Sequence, residues 1–266
     1  MTGSSPPVRP FTDAAEMPLA APPIVRVVAQ ARYRGNASQM DDDAAQKFAG
    51  IVAEWLPFLD RAQAVELLIG PNGIHQQEAA QGAQWILHDG GDRRVTLTSG
   101  WVSYDVGPYE SRTGFCTDLG RIFSALHEQI GPVPIGRLGI RYINQISEPD
   151  VLAQLPRLVR RELLGVLQAP EQAEALVHSL TESLFRLGDA NLQARHGLMP
   201  AGVLVDPTVK ITQRASWVLD LDAFTEDTPP LGGELAERAR ELAALAYNYF
   251  RWAMTEDALK LFKGEQ

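Results

Sequence analysis

Two arginines and two aspartates carry the clearest chemical potential in this sequence. Arg137 and Arg141 stand four apart in Ile-Gly-Arg-Leu-Gly-Ile-Arg-Tyr-Ile-Asn-Gln-Ile, residues 135–146. In an extended strand alternate side chains share a face, so both guanidiniums point the same way, roughly 13 Å apart at about 3.3 Å per residue. Gly139 leaves bare backbone between them. Guanidinium grips carboxylate or phosphate bidentately, which makes this a candidate ligand face. Asp220 and Asp222 in Leu-Asp-Leu-Asp likewise share a face, about 7 Å apart along their strand. Paired carboxylates can hold magnesium beside a phosphate-bearing small molecule, or they can neutralise the arginines across a sheet. The two readings differ in a measurable way. Arginines held ready for a ligand predict that Arg141→Ala leaves stability within about 1 kcal/mol while abolishing binding; a partly buried charge network predicts a loss of several.

Other chemistries find little support. His75, His88, His127, His178 and His196 fall in five separate elements without a His-x-x-x-His spacing, and Cys116 is the only cysteine. Neither zinc nor an internal disulfide is expected. No serine sits in Gly-x-Ser-x-Gly, no Walker sequence is present, and Gly131, Gly136 and Gly139 precede a strand instead of opening a helix. No metal and no cofactor is therefore expected, and no catalytic residue is identified. The aspartate pair lacks a third acidic ligand nearby.

These residues need elements to position them. The strand at 135–146 puts Leu138, Ile140, Tyr142, Asn144 and Ile146 on its core side, with Arg137 and Arg141 behind. An earlier strand from Ile24 repeats the arrangement, with Val25, Val27, Ala29 and Ala31 on one face and Arg26 and Arg32 on the other. Helical spacing predicts helices over 42–56, 109–129, 151–167 and 234–250. Period-two runs predict strands at 65–69, 84–88, 93–98, 101–106, 179–187, 191–199 and 215–224, with turns at Gly70-Pro71-Asn72-Gly73 and Gly188-Asp189. The expected fold is α+β, in two related halves at 24–132 and 133–266, each running strand, helix, antiparallel strands, long helix. An internal duplication explains the repeated order. Whether the halves share one sheet is left open. Each sheet should be covered on one face by its long helix.

Residues 1–23 hold six of the 18 prolines and no periodic pattern, which predicts a mobile tail without a secretory signal. No apolar run is long enough to cross a membrane. At a formal net charge of −9 the chain opposes nucleic acid and anionic membranes, and its 45% hydrophobic composition is that of a soluble globular protein. The cytoplasm is the expected compartment, and a protein partner or a homo-oligomer the expected association. Near the C-terminus Tyr247, Tyr249, Phe250 and Trp252 form a dense aromatic run suited either to an interface or to the core.

Arg137, Gly139, Arg141, Tyr142, Ile143 and Asn144 give the chain a family likeness. It resembles a sporadically distributed, uncharacterised prokaryotic family of about this length, whose signature reads Arg-x-Gly-Leu-Arg-Tyr-Ile-Asn, with Ile140 here in place of the leucine. The opening strand near 24, Pro108-Tyr109 at a helix start, Leu-Asp-Leu-Asp-x-Phe at 219–224 and the aromatic C-terminal helix extend the likeness over roughly residues 23–255. The resemblance implies no reaction. The family's patchy distribution, like that of toxin–antitoxin and phage-defence genes, implies an interaction role, and an arginine-bearing sheet face with no convergent nucleophile, base or metal set makes a non-enzymatic binding protein, antitoxin-like or defence-associated, the expectation. The alternative from the residues is an enzyme or nucleotide-responsive module at the Arg/Asp face, and the candidate binding residues are Arg26, Arg32, Arg137, Arg141, Tyr142, Asn144, Asp220 and Asp222.

Overall fold

The computed structural model describes residues 10–35, 40–70, 73–107, 109–204, 206 and 208–264, with the backbone alone at 63–70 and 73–82. Pro71, Asn72 and Pro108, named in the expected turn and helix start, lie outside these, as do residues 1–9 of the expected tail. The strands are β1 (Ile24–Tyr33), β2 (Phe58–Gly70), β3 (Gly73–His88), β4 (Arg93–Leu97), β5 (Trp101–Val106), β6 (Ile135–Ile146), β7 (Thr181–Leu187), β8 (Ala190–Met199) and β9 (Ser216–Thr225). All nine join one antiparallel sheet in the order β2-β3-β4-β5-β1-β6-β9-β8-β7. β1 and β6 are therefore neighbours at its centre, with Ala29 opposite Ile140, and the segments 24–132 and 133–266 share a single sheet.

Alternation explains the pairing. Val27, Ala29, Ala31 and Tyr33 of β1 are buried, as are Leu138, Ile140, Tyr142, Asn144 and Ile146 of β6 and Trp217, Leu219, Leu221 and Ala223 of β9. A register slip of one residue would turn these sets out and bring the arginines in. Among the described residues seven α-helices accompany the sheet: α1 (Asp42–Val52), α2 (Arg112–Ile130), α3 (Pro149–Leu152), α4 (Leu155–Leu158), α5 (Pro170–Glu174), α6 (Gly233–Ala253) and α7 (Glu256–Lys263). α6 lies against β6, β8 and β9, and α2 packs on α6 and α1. Ser111 caps α2 by accepting from the Gly114 amide, and Gly131 at φ 76° ends it. Tyr104 of β5 stacks on Phe115 of α2 and donates to Asp118 at 2.7 Å, tying that helix to the sheet. Leu138, Ile140, Leu219, Leu221, Leu119, Ile122, Phe123 and Leu242 belong to one continuous core.

Three expectations need correction. The helix expected over 151–167 is broken into α3, α4 and two short 3-10 turns at Arg161–Leu163 and Gly165–Gln168. Pro156 has no amide to donate and Gly165 sits at φ 52°, so the apolar spacing there is served by separate turns. The strands expected at 65–69 and 84–88 are parts of the longer β2 and β3. Residues 10–23, expected as a mobile tail, form a strap along α6. Phe11 is buried against Phe185, Tyr249 and Trp252; the Ala14 amide donates to Asn248 at 3.0 Å; the Met17 amide donates to the Tyr247 hydroxyl at 2.9 Å. A single aromatic anchor plus backbone bonds to helix side chains orders a segment that has no periodicity of its own. The C-terminal aromatic run is partly accounted for by this packing.

Candidate functional site

The charged face of the sheet is laid out by β1, β5, β6, β8 and β9. Arg141 bonds Asp220 bidentately, Nε to Oδ1 at 2.8 Å and Nη2 to Oδ2 at 2.9 Å, and its Nη1 reaches Asp206 at 2.6 Å. Arg195 of β8 also bonds Asp220. Arg137 donates to Asp222 at 2.8 Å and lies 4.3 Å from the centre of the Phe224 ring. Its guanidinium covers Gly139, where a Cβ would lie 2.7 Å from Nη1. Arg26 donates to Asp105 at 2.9 Å and to the Thr208 carbonyl at 2.6 Å. Asp206 is held in its loop by Thr208, whose amide and hydroxyl both donate to Oδ1. The β8–β9 loop thus presses onto Arg26 and Arg141 together.

The electrostatics follow from burial and pairing. Burial works against the charge of Arg141, yet the bonds and charges of Asp220 and Asp206 outweigh it and raise the guanidinium above the usual arginine range. Burial pushes Asp206 up, and Arg141 with the Thr208 bonds overcomes it to hold the carboxyl below its usual value. At Asp105 burial prevails over Arg26 and the carboxyl is raised. Side-chain exposure is 24% for Arg141, 9% for Asp206 and 5% for Asp220. Arg137 and Arg141 therefore already have carboxylate partners, so the expectation of uncompensated arginines gives way to a neutralised network. A phosphate arriving here would have to displace an aspartate from a bidentate pair. Among the described residues no group of three or more His, Cys, Asp or Glu is placed to hold a metal ion. Arg32 stands apart, exposed and bonded to Gln30 at 2.8 Å.

Tyr142 and Asn144 point the other way, into a cavity of about 310 Å³ between β6, α6, the start of α2 and the strap. Tyr109, Tyr142, Tyr247 and Phe250 supply rings, with Leu221, Ile24 and Leu19 completing an apolar wall. The Tyr109 and Tyr142 hydroxyls lie 3.4 Å apart and their rings meet edge to face. Burial pushes both phenols well above the usual tyrosine range, so they act as neutral hydrogen-bonding groups. Asn144 donates to the Leu219 carbonyl at 3.0 Å, while its Oδ1 accepts nothing from the described residues. Two charged side chains line the cavity, Glu110 and Glu16, of which Glu16 pairs with Arg112 Nε at 3.9 Å; the Arg112 guanidinium also stands 5.2 Å from the centre of the Tyr247 ring. Glu16 accepts the Arg112 amide at 2.6 Å at the start of α2, which fixes the strap across the mouth.

No family model and no curated protein matches the chain. The site must speak for itself. Of the eight residues singled out from sequence, Arg137, Arg141, Asp220 and Asp222 come together on one face with Arg26 two strands from β9, and Tyr142 and Asn144 on the other. Sequence reading missed Asp206, Arg195 and Asp105 in the network, and Glu16, Tyr109 and Tyr247 in the cavity. Arg195 was within reach, since Asn191, Gln193 and Arg195 alternate with buried residues. Asp206 gave no signal, because its loop has no periodicity.

Proposed function

We propose that this protein is a non-enzymatic, cytoplasmic binding protein whose ligand site is the cavity under the strap, and that its ligand is a small amine with an apolar body. One observation carries the reading: aromatic rings line a cavity whose two charged residues are both carboxylates, Glu16 shared with Arg112 and Glu110 with no ion pair among the described residues. Ring faces and carboxylates favour an organic cation over an anion, and desolvated cation–π contacts contribute about 2 kcal/mol or more. The volume falls within the range of small-molecule sites, roughly 300–1,000 Å³. The free Asn144 Oδ1 offers an acceptor for an ammonium proton. Neutral phenols and a buried Cys116, its thiol pushed up to about 11 by burial, provide no activated nucleophile. An interaction role akin to that of antitoxin or defence components fits a protein that senses rather than transforms. The phosphate-binding alternative at the Arg/Asp face is disfavoured by the pairing of its arginines.

We also read the chain as a duplicated unit. The strands run β1-β5-β4-β3-β2 outward on one side of the central seam and β6-β9-β8-β7 on the other, with β2 the extra strand, and a long helix follows β5 and β9 in sequence. Arg26 bonds Asp105, which stands opposite Val28, and Arg141 bonds Asp220, which stands opposite Ile143: the same two-residue offset in both halves.

Thermal shift tests the ligand. A panel of hydrophobic amines, their neutral isosteres and magnesium nucleotides is compared on the wild type and on Ala246→Phe, which fills the cavity. A bound amine at one hundred times its dissociation constant stabilises by about 2.7 kcal/mol. Stabilisation by amines alone, lost in Ala246→Phe, is expected. An equal response to neutral isosteres, or none to any amine, overturns the reading.

A further inference from the structure

We infer that β7 is the contact strand of a symmetric homodimer, pairing antiparallel with β7 of a second copy about a two-fold axis at Leu184. β7 ends the sheet order, so one of its edges is unpaired among the described strands. Edge strands are ordinarily blunted by charged side chains, lysine above all, by proline or by a bulge. Thr181–Leu187 has neither lysine nor proline, its register with β8 runs without a shift, and its two charges, Glu182 and Arg186, are of opposite sign and can pair across a two-fold axis.

The backbone sets which residues can pair. β7 and β8 are joined by the two-residue turn Gly188-Asp189, closed by Leu187 opposite Ala190. In such a hairpin the closing pair exchanges its amide and carbonyl, so residues 181, 183, 185 and 187 bond inward to β8. Glu182, Leu184 and Arg186 then direct their amides and carbonyls to the open edge. Antiparallel pairing through that edge, centred on Leu184, satisfies all three at once.

The side chains fit the same register. Glu182, Leu184 and Arg186 share one face and are exposed, Leu184 by 66%. Neither Glu182 nor Arg186 has an ionic partner among the described residues. About an axis at Leu184, Glu182 faces Arg186 of the second copy, Arg186 faces its Glu182, and the two leucines meet. An isologous contact demands this kind of self-complementarity. A shift of two residues in either direction sets Leu184 against a charge. Leu180 and Val177, exposed by 54% and 71%, precede the strand. The result is one sheet continuous through both copies. This inference is independent of the cavity and its ligand.

Sedimentation velocity of the full chain over a concentration series provides the test, with Glu182→Arg, Arg186→Glu, the double swap and Leu184→Lys. All four changes lie on exposed positions, and circular dichroism confirms that each variant folds. The wild type should dimerise. Each single reversal sets like charges together twice across the axis and should raise the dissociation constant about tenfold or more. The double swap restores complementarity and the dimer, while Leu184→Lys gives a monomer. A wild type that stays monomeric, a dimer indifferent to Leu184→Lys, or a double swap no better than the single reversals overturns the proposal.

Discussion

Replacing Arg141 by alanine probes the centre of the charged face. The change removes three hydrogen bonds, two to Asp220 and one to Asp206. Breaking a buried ion pair destabilises by roughly 3–5 kcal/mol, and an exposed pair by about 1 at most. Arg141 keeps some solvent contact, and Asp220 retains Arg195. The stranded charge is therefore Asp206, left with Thr208 alone. A loss of about 3 kcal/mol, at the lower end of the buried range, is expected. With a urea slope of about 3 kcal/mol/M the midpoint falls by about 1 M at unchanged slope. Arg157→Ala is the control, because the Arg157–Asp257 pair is exposed by 66% and 43%; it should lose no more than about 1 kcal/mol. Adding Asp206→Asn to Arg141→Ala removes the stranded carboxylate and should recover much of the loss, a coupling that a thermodynamic cycle isolates. A loss below about 1 kcal/mol for Arg141→Ala, with no coupling to Asp206, would refute the neutralised network and return this face to the ligand reading.

Three further outcomes are expected. Gly197→Ala places a Cβ 1.9 Å from the Ser179 carbonyl oxygen at φ 154°, so equilibrium denaturation should show a loss above about 3 kcal/mol; a variant of near wild-type stability would refute the close approach. His196 is buried beside Trp217 with Nδ1 unpartnered, and burial holds its pKa below the usual histidine value. Its stabilising contribution is thus complete above about pH 6.5 and declines as pH falls through the lowered native value, so a pH series should show a slope that His196→Phe flattens; parallel profiles would count against this. Cys116 is fully buried with its thiol raised, so an aromatic disulfide reagent at mildly alkaline pH should label it only after denaturation; stoichiometric labelling of the folded protein would contradict that.

The sequence made some of this legible and hid the rest for identifiable reasons. β6 could be read because its alternation is clean on both faces, and α6 because Leu235, Leu242, Ala246 and Tyr249 fall on one stripe. That Arg141 meets Asp220 followed from placing both on central strands. The third partner, Asp206, did not follow, since a loop residue declares its neighbours only when the loop is folded. The cavity was half visible: Tyr142 and Asn144 were placed on the core side, but Tyr247 and Glu16 reach them from opposite ends of the chain. The broken segment at 149–174 misled because apolar spacing outvoted Pro156 and Gly165. The strap was invisible because Phe11 is one aromatic among prolines.

That strap also constrains the order of assembly. Its partners Tyr247, Asn248 and Phe262 lie more than two hundred positions along the chain, and β1 waits for β6 to complete the middle of the sheet. Contacts of such separation are closed late and slow folding, because the entropy of the intervening loop is lost before the contact forms. On a ribosome, the segment that emerges first among the described residues would be among the last to settle. Until β6 exists β1 keeps an unpaired edge, and until α6 exists Phe11 lacks the rings of Tyr249 and Trp252. The strap and β1 thus stay unpartnered longer than the elements that follow them, and the prolines and acidic residues of the strap suit it to remain extended and solvated in the interval.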